Sequence, residues 1–297
     1  MIAFKKLGQM GRLGNQMFQI ASTIGIAKTL KQDYAFPKWE YQSFFEKPLP
    51  SLDGPYALSS GILTIDSTPP TIERGYHFKS YAETVVENLV LEGYLQSPKY
   101  WEGHEDEVLS YLKLNEKTFR KVFENFVSLA QKFPPRLKLE LVGIHVRRGD
   151  YAGNDLYHTN LANTKYYQLA LMKLALLVKH YQLNAVVFSD DIEFCKQYFD
   201  QPPYSWEHLS SPGVHNVNFV YSDTQDPIVD MFTMSLMDHQ IIANSSFSWW
   251  AAYLSGRRKK VPGHVISPGD MIPWFGPKYD QQEYNTEDLI PKEWHQI

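Results

Sequence analysis

The sequence predicts an α/β protein whose second half is a parallel sheet covered by helices on both faces. Three observations carry this. Five short segments after residue 138 are apolar throughout rather than alternating, as strands buried on both faces must be. Stretches with helical spacing fall between them, which is the strand–helix alternation of parallel crossovers. The chain also opens on a strand, a glycine loop and a helix.

In order, Ile2-Ala3-Phe4 reads as the first strand. Gly8, Gly11 and Gly14 form a loop, and Met17, Ile20, Ala21, Ile24, Ala27 and Leu30 then recur at helical spacing. Such a helix N-terminus can hold an anion, although the glycines match neither the dinucleotide fingerprint nor a P-loop. Residues 37–73, rich in Pro, Ser, Gly and aromatics, read as loops and short strands. Helical patterns return over 101–114 and 116–133. Lys132-Phe133-Pro134-Pro135-Arg136 then breaks the helix and marks the boundary between halves, 1–135 and 136–297. Beyond it the expected strands are 139–146, 185–188, 219–221, 241–243 and 265–266. The expected helices are 164–181, 192–198, a segment from Asp226-Pro227 to Met237, and 247–254. Asp226 there is the N-cap and Pro227 the first-turn residue.

Composition narrows the function. At 43% hydrophobic and 21% charged residues the chain is an ordinary globular protein, and a net charge of -4 speaks against a broad nucleic-acid surface. The single cysteine, Cys195, excludes an intramolecular disulfide and reads as structural, because its acidic neighbours disfavour a thiolate. No signal-peptide pattern or membrane-length apolar run is present, so a cytoplasmic protein without a transmembrane segment is expected, with peripheral membrane attachment left open.

Ligands of parallel sheets sit beyond the carboxyl ends of the strands, so the chemistry is sought there. The first strand of the second half ends in His145-Val146-Arg147-Arg148-Gly149-Asp150-Tyr151. Alternation puts His145 and Arg147 on one face and Arg148 on the other. Guanidinium groups offer paired donors suited to a diphosphate; a surface salt bridge such as Arg148 with Asp150 is the plain alternative. The next strand ends in Ser189-Asp190-Asp191, where Asp190 either accepts hydrogen bonds from a ribose or base or caps the next helix, as Ser189 also could. Adjacent carboxylates without Asp-x-Asp spacing argue against a metal. Finally, Asn244-Ser245-Ser246-Phe247-Ser248-Trp249-Trp250 is a small polar turn leading into a helix. Its hydroxyls and N–H groups could hold phosphate, with N-capping by Ser245 or Ser246 compatible. Trp249 and Trp250 read as core, and Arg257-Arg258-Lys259-Lys260 as a solvated face. The residues alone thus indicate a metal-free enzyme or binder for a phosphorylated ligand.

These segments, together with Gly11-Arg12-Leu13-Gly14-Asn15-Gln16-Met17-Phe18-Gln19 and Asp238-His239-Gln240-Ile241-Ile242-Ala243, resemble the α-1,2-fucosyltransferases of glycosyltransferase family 11 in order and spacing. Arg12 stands where that family usually has a second glycine. The resemblance implies a two-lobed B-type glycosyltransferase fold, with a Rossmann-like sheet in the C-terminal lobe. It implies an inverting transfer from GDP-β-L-fucose to the 2-hydroxyl of a galactose-containing acceptor, with no metal and no other cofactor. Donor is expected in 136–297 and acceptor toward 1–135.

By the same resemblance, Arg148 or Arg147 would stabilise the leaving GDP. Ser245, Ser246 and Phe247 would hold phosphates and flank the donor, with His145 and Asp190 nearer the nucleoside. Gly14 and Asn15 would approach from the other lobe. Asp150 is the first choice of base for the acceptor hydroxyl and His145 the second, and advanced loss of fucose would require no strong base. Two rivals remain, another metal-independent GDP-sugar transferase and a non-catalytic glycan- or nucleotide-binding protein of the same fold.

Overall fold

The structure is a computed structural model and describes residues 1–53, 70–72, 77–83, 88–135, 140–151, 153–179, 182–200, 216–258, 262–279 and 284–297. The chain divides into two compact units, Met1–Phe119 with Thr286–Pro291, and Arg120–Asn285 with Lys292–Ile297.

The first unit holds β1 (Ile2–Ala3), α1 (Leu13–Thr29), β2 (Tyr34–Ala35), β3 (Pro70–Ile72), β4 (Leu89–Glu92) and α2 (Glu105–Tyr111). Its strands are parallel in the order β2-β1-β4-β3. Pro70, which has no N–H for a ladder, lies in the edge strand β3. The glycine loop is shorter than the spacing predicts. Gly8 and Gly11 take positive φ, 84° and 75°, whereas Gly14 is already in the first turn of α1, behind Arg12 at the N-cap. α1 is buried almost all round, and several of its polar residues are satisfied on backbone and neighbours. Gln16 donates to the Gly11 carbonyl and accepts from the Trp39 indole, and Ser22 donates to the Leu95 carbonyl. The helix expected over 101–114 is split into a 3-10 turn, Pro98–Trp101, and α2, with Gly103 at φ 79° between them. Much of the loop expected over 37–73 lies outside the described residues.

A helix α3 (Glu116–Ala130) carries the chain across the division between units. The second unit then runs β5 (Leu141–Val146), α4 (Tyr166–Val178), β6 (Gln182–Ser189), α5 (Ile192–Asp200), β7 (Asn216–Tyr221), α6 (Pro227–Met234), β8 (His239–Ile241), α7 (Ser246–Arg258), β9 (Val265–Ser267) and β10 (His295–Gln296). All six strands are parallel in the order β10-β9-β8-β5-β6-β7. β10 has no counterpart among the sequence expectations, since two polar residues at a sheet edge show no apolar run.

Alternation along β5 separates the two faces. Val142, Ile144 and Val146 pack in one cluster with Tyr166, Leu171 and Leu174 of α4 and Cys195 and Phe199 of α5. On the opposite face Gly143 backs onto Met234 and Met237, at the end of α6 and just beyond it, and His145 faces α7. Burial pushes the Cys195 thiol up to about 12, consistent with a packing role. Trp249 and Trp250 are fully buried. Arg257 and Arg258 are exposed, as a solvated face requires, and Arg258 also donates from Nη1 to Ser235 at 2.9 Å; Lys259 and Lys260 lie outside the described residues.

Asp226 caps α6 as the sequence predicts, accepting from the N–H groups of Ile228 at 2.9 Å and Val229 at 3.3 Å. Asp226→Ala should therefore cost about 1 kcal/mol of stability. Urea unfolding followed by circular dichroism reads this, and an unchanged midpoint would show that the cap contributes nothing.

Candidate functional site

The chain enters the second sheet at β5, moves outward through β6 to β7, and then returns to place β8 on the other side of β5. Helices from the two directions pack on opposite faces, so the carboxyl ends of β5 and β8 flank a crevice, the usual ligand position in such sheets. The two long sequence motifs meet there. Residues 145–151 leave β5 and residues 242–248 leave β8.

A hydrogen-bonded pair joins them. His145 Nδ1 lies 2.9 Å from Ser248 Oγ, both side chains being buried, and the Ser248 hydroxyl also accepts the Ala243 N–H at 3.2 Å. The Phe247 ring stands beside the imidazole with centroids 4.9 Å apart. Burial, and secondarily the Arg147 charge, lowers the His145 pKa to about 3, so the ring is neutral near pH 7. That weakens His145 as a base and favours a positioning role.

Across β5 and β6, Val146 pairs with Ser189, which places the two strand ends side by side. Asp190 uses both carboxylate oxygens there. Oδ2 pairs with Arg147 Nη1 at 2.7 Å, and Oδ1 accepts the Arg148 backbone N–H at 2.9 Å. Capping of α5 falls instead to Asp191, which accepts the Phe194 N–H at 3.1 Å. The expectation that Ser189 or Asp190 caps the helix is corrected accordingly, because Asp190 is drawn to the arginine turn.

The two arginines differ. Arg147 is partly neutralised by Asp190, and its guanidinium carbon is 5.4 Å from the Tyr151 ring centroid. Arg148 projects to the other face, as alternation predicts, and stacks on Phe194 at 3.8 Å. Its buried Nε has no hydrogen-bond partner among the described residues. That Nε is a donor at the strand end that an incoming anion could take. The side chain of Asp150 lies outside what the structure describes, so its expected salt bridge to Arg148 and its role as base gain no geometry.

Ser245 caps α7, with its Oγ 3.4 Å from the Phe247 N–H and its carbonyl accepting from Trp249. Ser246 and Phe247 follow in the first turn, where the helix dipole favours negative charge. Gly14 and Asn15 belong to the first unit, in the first turn of α1, with Asn15 Oδ1 accepting from Gln96 Nε2 at 2.7 Å. Among the described residues no group of three or more His, Cys, Asp or Glu side chains is arranged to hold a metal ion, and no helix is long and apolar enough to cross a membrane.

Four further residues build this end of the sheet. The Asn244 amide donates at 2.9 Å to the carbonyl oxygens of both Thr159 and Trp274, and its own carbonyl accepts from the Tyr151 hydroxyl at 3.1 Å. The Tyr166 hydroxyl donates to the Ile242 and Ile266 carbonyls, and that of Tyr167 to the His145 carbonyl. These phenols satisfy buried carbonyls at the strand ends. Their sequence signal is a pair of tyrosines opening an otherwise leucine-rich helix.

The sequence profile described as Glycosyl transferase family 11 matches residues 5–262. An alpha-1,2-colitosyltransferase of Escherichia coli is 28% identical over 97% of this chain and 96% of its own length. A galactoside 2-alpha-L-fucosyltransferase of Caenorhabditis elegans is 25% identical over 96% of this chain and 74% of its own. Among solved structures, POFUT1 in complex with GDP-fucose superposes with a TM-score of 0.53 at 11% identity, covering 90% of this chain and 97% of that one. Arabidopsis thaliana FUT1 in complex with GDP gives 0.50 at 14% identity, over 99% and 81%. These structures share the fold, the B-type architecture of parallel α/β units.

The His145 environment sets a pH dependence. The folded imidazole resists protonation down to about 3, whereas the unfolded one takes a proton near the ordinary value of about 6.5. Between those values the unfolded state binds more protons, so this group's effect on stability is lost as pH falls. Relative to pH 7, wild type should lose about 2 kcal/mol more than His145→Gln by pH 5. Parallel pH curves for the two proteins in chemical denaturation would contradict the buried, neutral histidine.

Proposed function

The chain belongs to glycosyl transferase family 11, and from that membership we propose that it moves L-fucose from GDP-β-L-fucose to the 2-hydroxyl of a terminal galactoside, with inversion and without a metal ion. The observation that carries the reading is the meeting of two motifs at the carboxyl ends of β5 and β8, where Arg148, stacked on Phe194 and with a buried Nε that has no hydrogen-bond partner among the described residues, lies at the same sheet end as the serine-rich start of α7. A nucleoside diphosphate matches both features, because its charge requires cationic donors and its oxygens suit a helix N-terminus. In this reading 136–297 is the donor-binding part of the chain and 1–135, with Gly14 and Asn15, the acceptor-side part.

In the transfer, the bond from fucose C1 to the β-phosphate oxygen breaks and its electrons leave with GDP. The acceptor oxygen bonds to C1 from the opposite face. Arg148 stabilises the charge gathering on the leaving phosphate, the role a metal ion would otherwise fill. Ser245, Ser246 and Phe247 hold the phosphates and flank the donor. Arg147, held by Asp190, shapes the turn and adds positive field, while His145 fixes that turn to α7 through Ser248. The hydroxyl proton passes to Asp150, or to solvent if fucose departure runs well ahead of attack.

A second donor also has a specific observation behind it, since the colitosyltransferase matches this chain nearly end to end. Turnover of GDP-fucose and of the corresponding colitose donor on a panel of β-galactosides, with the linkage determined by NMR, separates the two readings. Turnover with the colitose donor alone would replace fucose. No turnover with either would favour a binding protein.

Arg148→Ala should lower kcat/KM for GDP-fucose by roughly 10²- to 10³-fold with the fold intact by circular dichroism. Arg148→Lys should recover little, because an ammonium lacks the planar fork and its stacking. Near-normal rates in the alanine variant would remove the leaving-group role. Saturating EDTA should leave wild-type turnover largely unchanged, and loss of activity that Mn²⁺ or Mg²⁺ restores would overturn the metal-free mechanism.

A further inference from the structure

Beside the donor crevice, two loops of the second unit are joined into a short ribbon. His158 and Phe275 form an antiparallel bridge. The Gly276 N–H donates to the Tyr157 carbonyl at 3.0 Å, and the Lys278 N–H to the Leu156 carbonyl at 2.7 Å. Glycine is required for this approach, since a Cβ at Gly276 would stand 2.6 Å from the Leu156 oxygen and 2.7 Å from the His158 nitrogen. The Asn244 amide, reaching Thr159 and Trp274, ties both loops to the turn that begins α7. Rings then step outward from the arginines. Arg147 faces Tyr151, and His158 lies flat on Tyr151 with centroids 3.8 Å apart and planes 4° from parallel.

This anchored ribbon nevertheless bares apolar side chains. Leu156 is 62% exposed and Tyr157 41%. Tyr157 meets Tyr279 edge-on at 5.9 Å, which fixes the ring while leaving part of it open. Such a surface on a fixed backbone can engage a ligand with little loss of conformational freedom. Among the described residues the exposed charges flanking these side chains in sequence are Asp155 and Lys278, one of each sign, so no cationic excess for phosphate or an anionic lipid surface stands there. It suits a neutral ring with an apolar C–H face and a rim of hydroxyls, which is the chemistry of a hexose.

We propose that Tyr157, supported by Leu156 and Tyr279, is the platform on which the acceptor's sugar lies, so that part of acceptor recognition resides in the donor-binding unit. The proposal rests on the glycosyl-transfer reading above and adds a specificity-determining residue to it.

The test is steady-state kinetics with the donor that wild type uses and a β-galactoside acceptor. Tyr157→Ala should raise the acceptor KM at least tenfold while kcat changes less than threefold, and Tyr157→Phe should stay within threefold of wild type. Leu156→Asp should raise the same KM by several-fold, giving a second reading if Tyr157→Ala folds poorly. GDP affinity measured by calorimetry should be alike in all four proteins, which checks the donor site independently of turnover. An unchanged acceptor KM in both Tyr157→Ala and Leu156→Asp, with active wild type, would overturn the platform alone. So would a wild-type dimer that either variant dissociates with no change in acceptor KM, since the patch would then meet a second copy of the chain. Inactivity of wild type toward every donor would instead remove the glycosyl-transfer reading.

Discussion

The reversal of strand order at β5 governs where chemistry can occur in the second unit. A parallel strand reaches its neighbour through a crossover of fixed hand, so a chain that first travels outward to β7 and then returns to β8 must place its later helices on the opposite face. α4 and α5 cover one face of β5, and α7 packs on the other. The backbone diverges between the ends of β5 and β8, and the space is lined by whatever follows those strands. Here that is an arginine turn on one side and a serine-rich helix start on the other.

Electrostatics within the crevice follow from burial and pairing more than from residue counts. Asp190 spends its charge on Arg147 and its second oxygen on the Arg148 backbone, so it organises the turn while leaving the Arg148 guanidinium to a flat aromatic support. Phe194 positions that cation without neutralising it. His145, within the same turn, is too buried to carry charge and serves as a fixed hydrogen-bonding link to Ser248. A net charge of -4 for the whole chain therefore does not exclude an arginine presented to an anion at this turn.

The sheet was legible wherever burial on both faces left a continuous apolar run, as in β5 and β6, and α6 was legible because Asp226-Pro227 combines a cap with a fixed φ. β10 was not, because an edge strand of two polar residues is defined by its partner β9 rather than by its own sequence. The meeting of His145–Tyr151 with Asn244–Ser248 followed from topology once both were placed at strand ends. Their exact partners did not. Asp190 had two duties open to it in sequence, and only the register of Val146 against Ser189 makes the arginine turn its nearest demand. The partners of Asn244, Tyr166 and Tyr167 were not legible, since each acts on backbone carbonyls of distant segments that sequence does not bring together.

The central claim is that this crevice binds a diphosphate through protein cations. Calorimetric titration of wild-type protein with GDP and with GMP, both in excess chelator, addresses it without depending on the acceptor or on turnover. GDP should bind at least tenfold more tightly than GMP, because only the diphosphate spans the Arg148 side and the α7 N-terminus. Equal affinities, or GDP binding that appears only when a divalent cation is added, would contradict it.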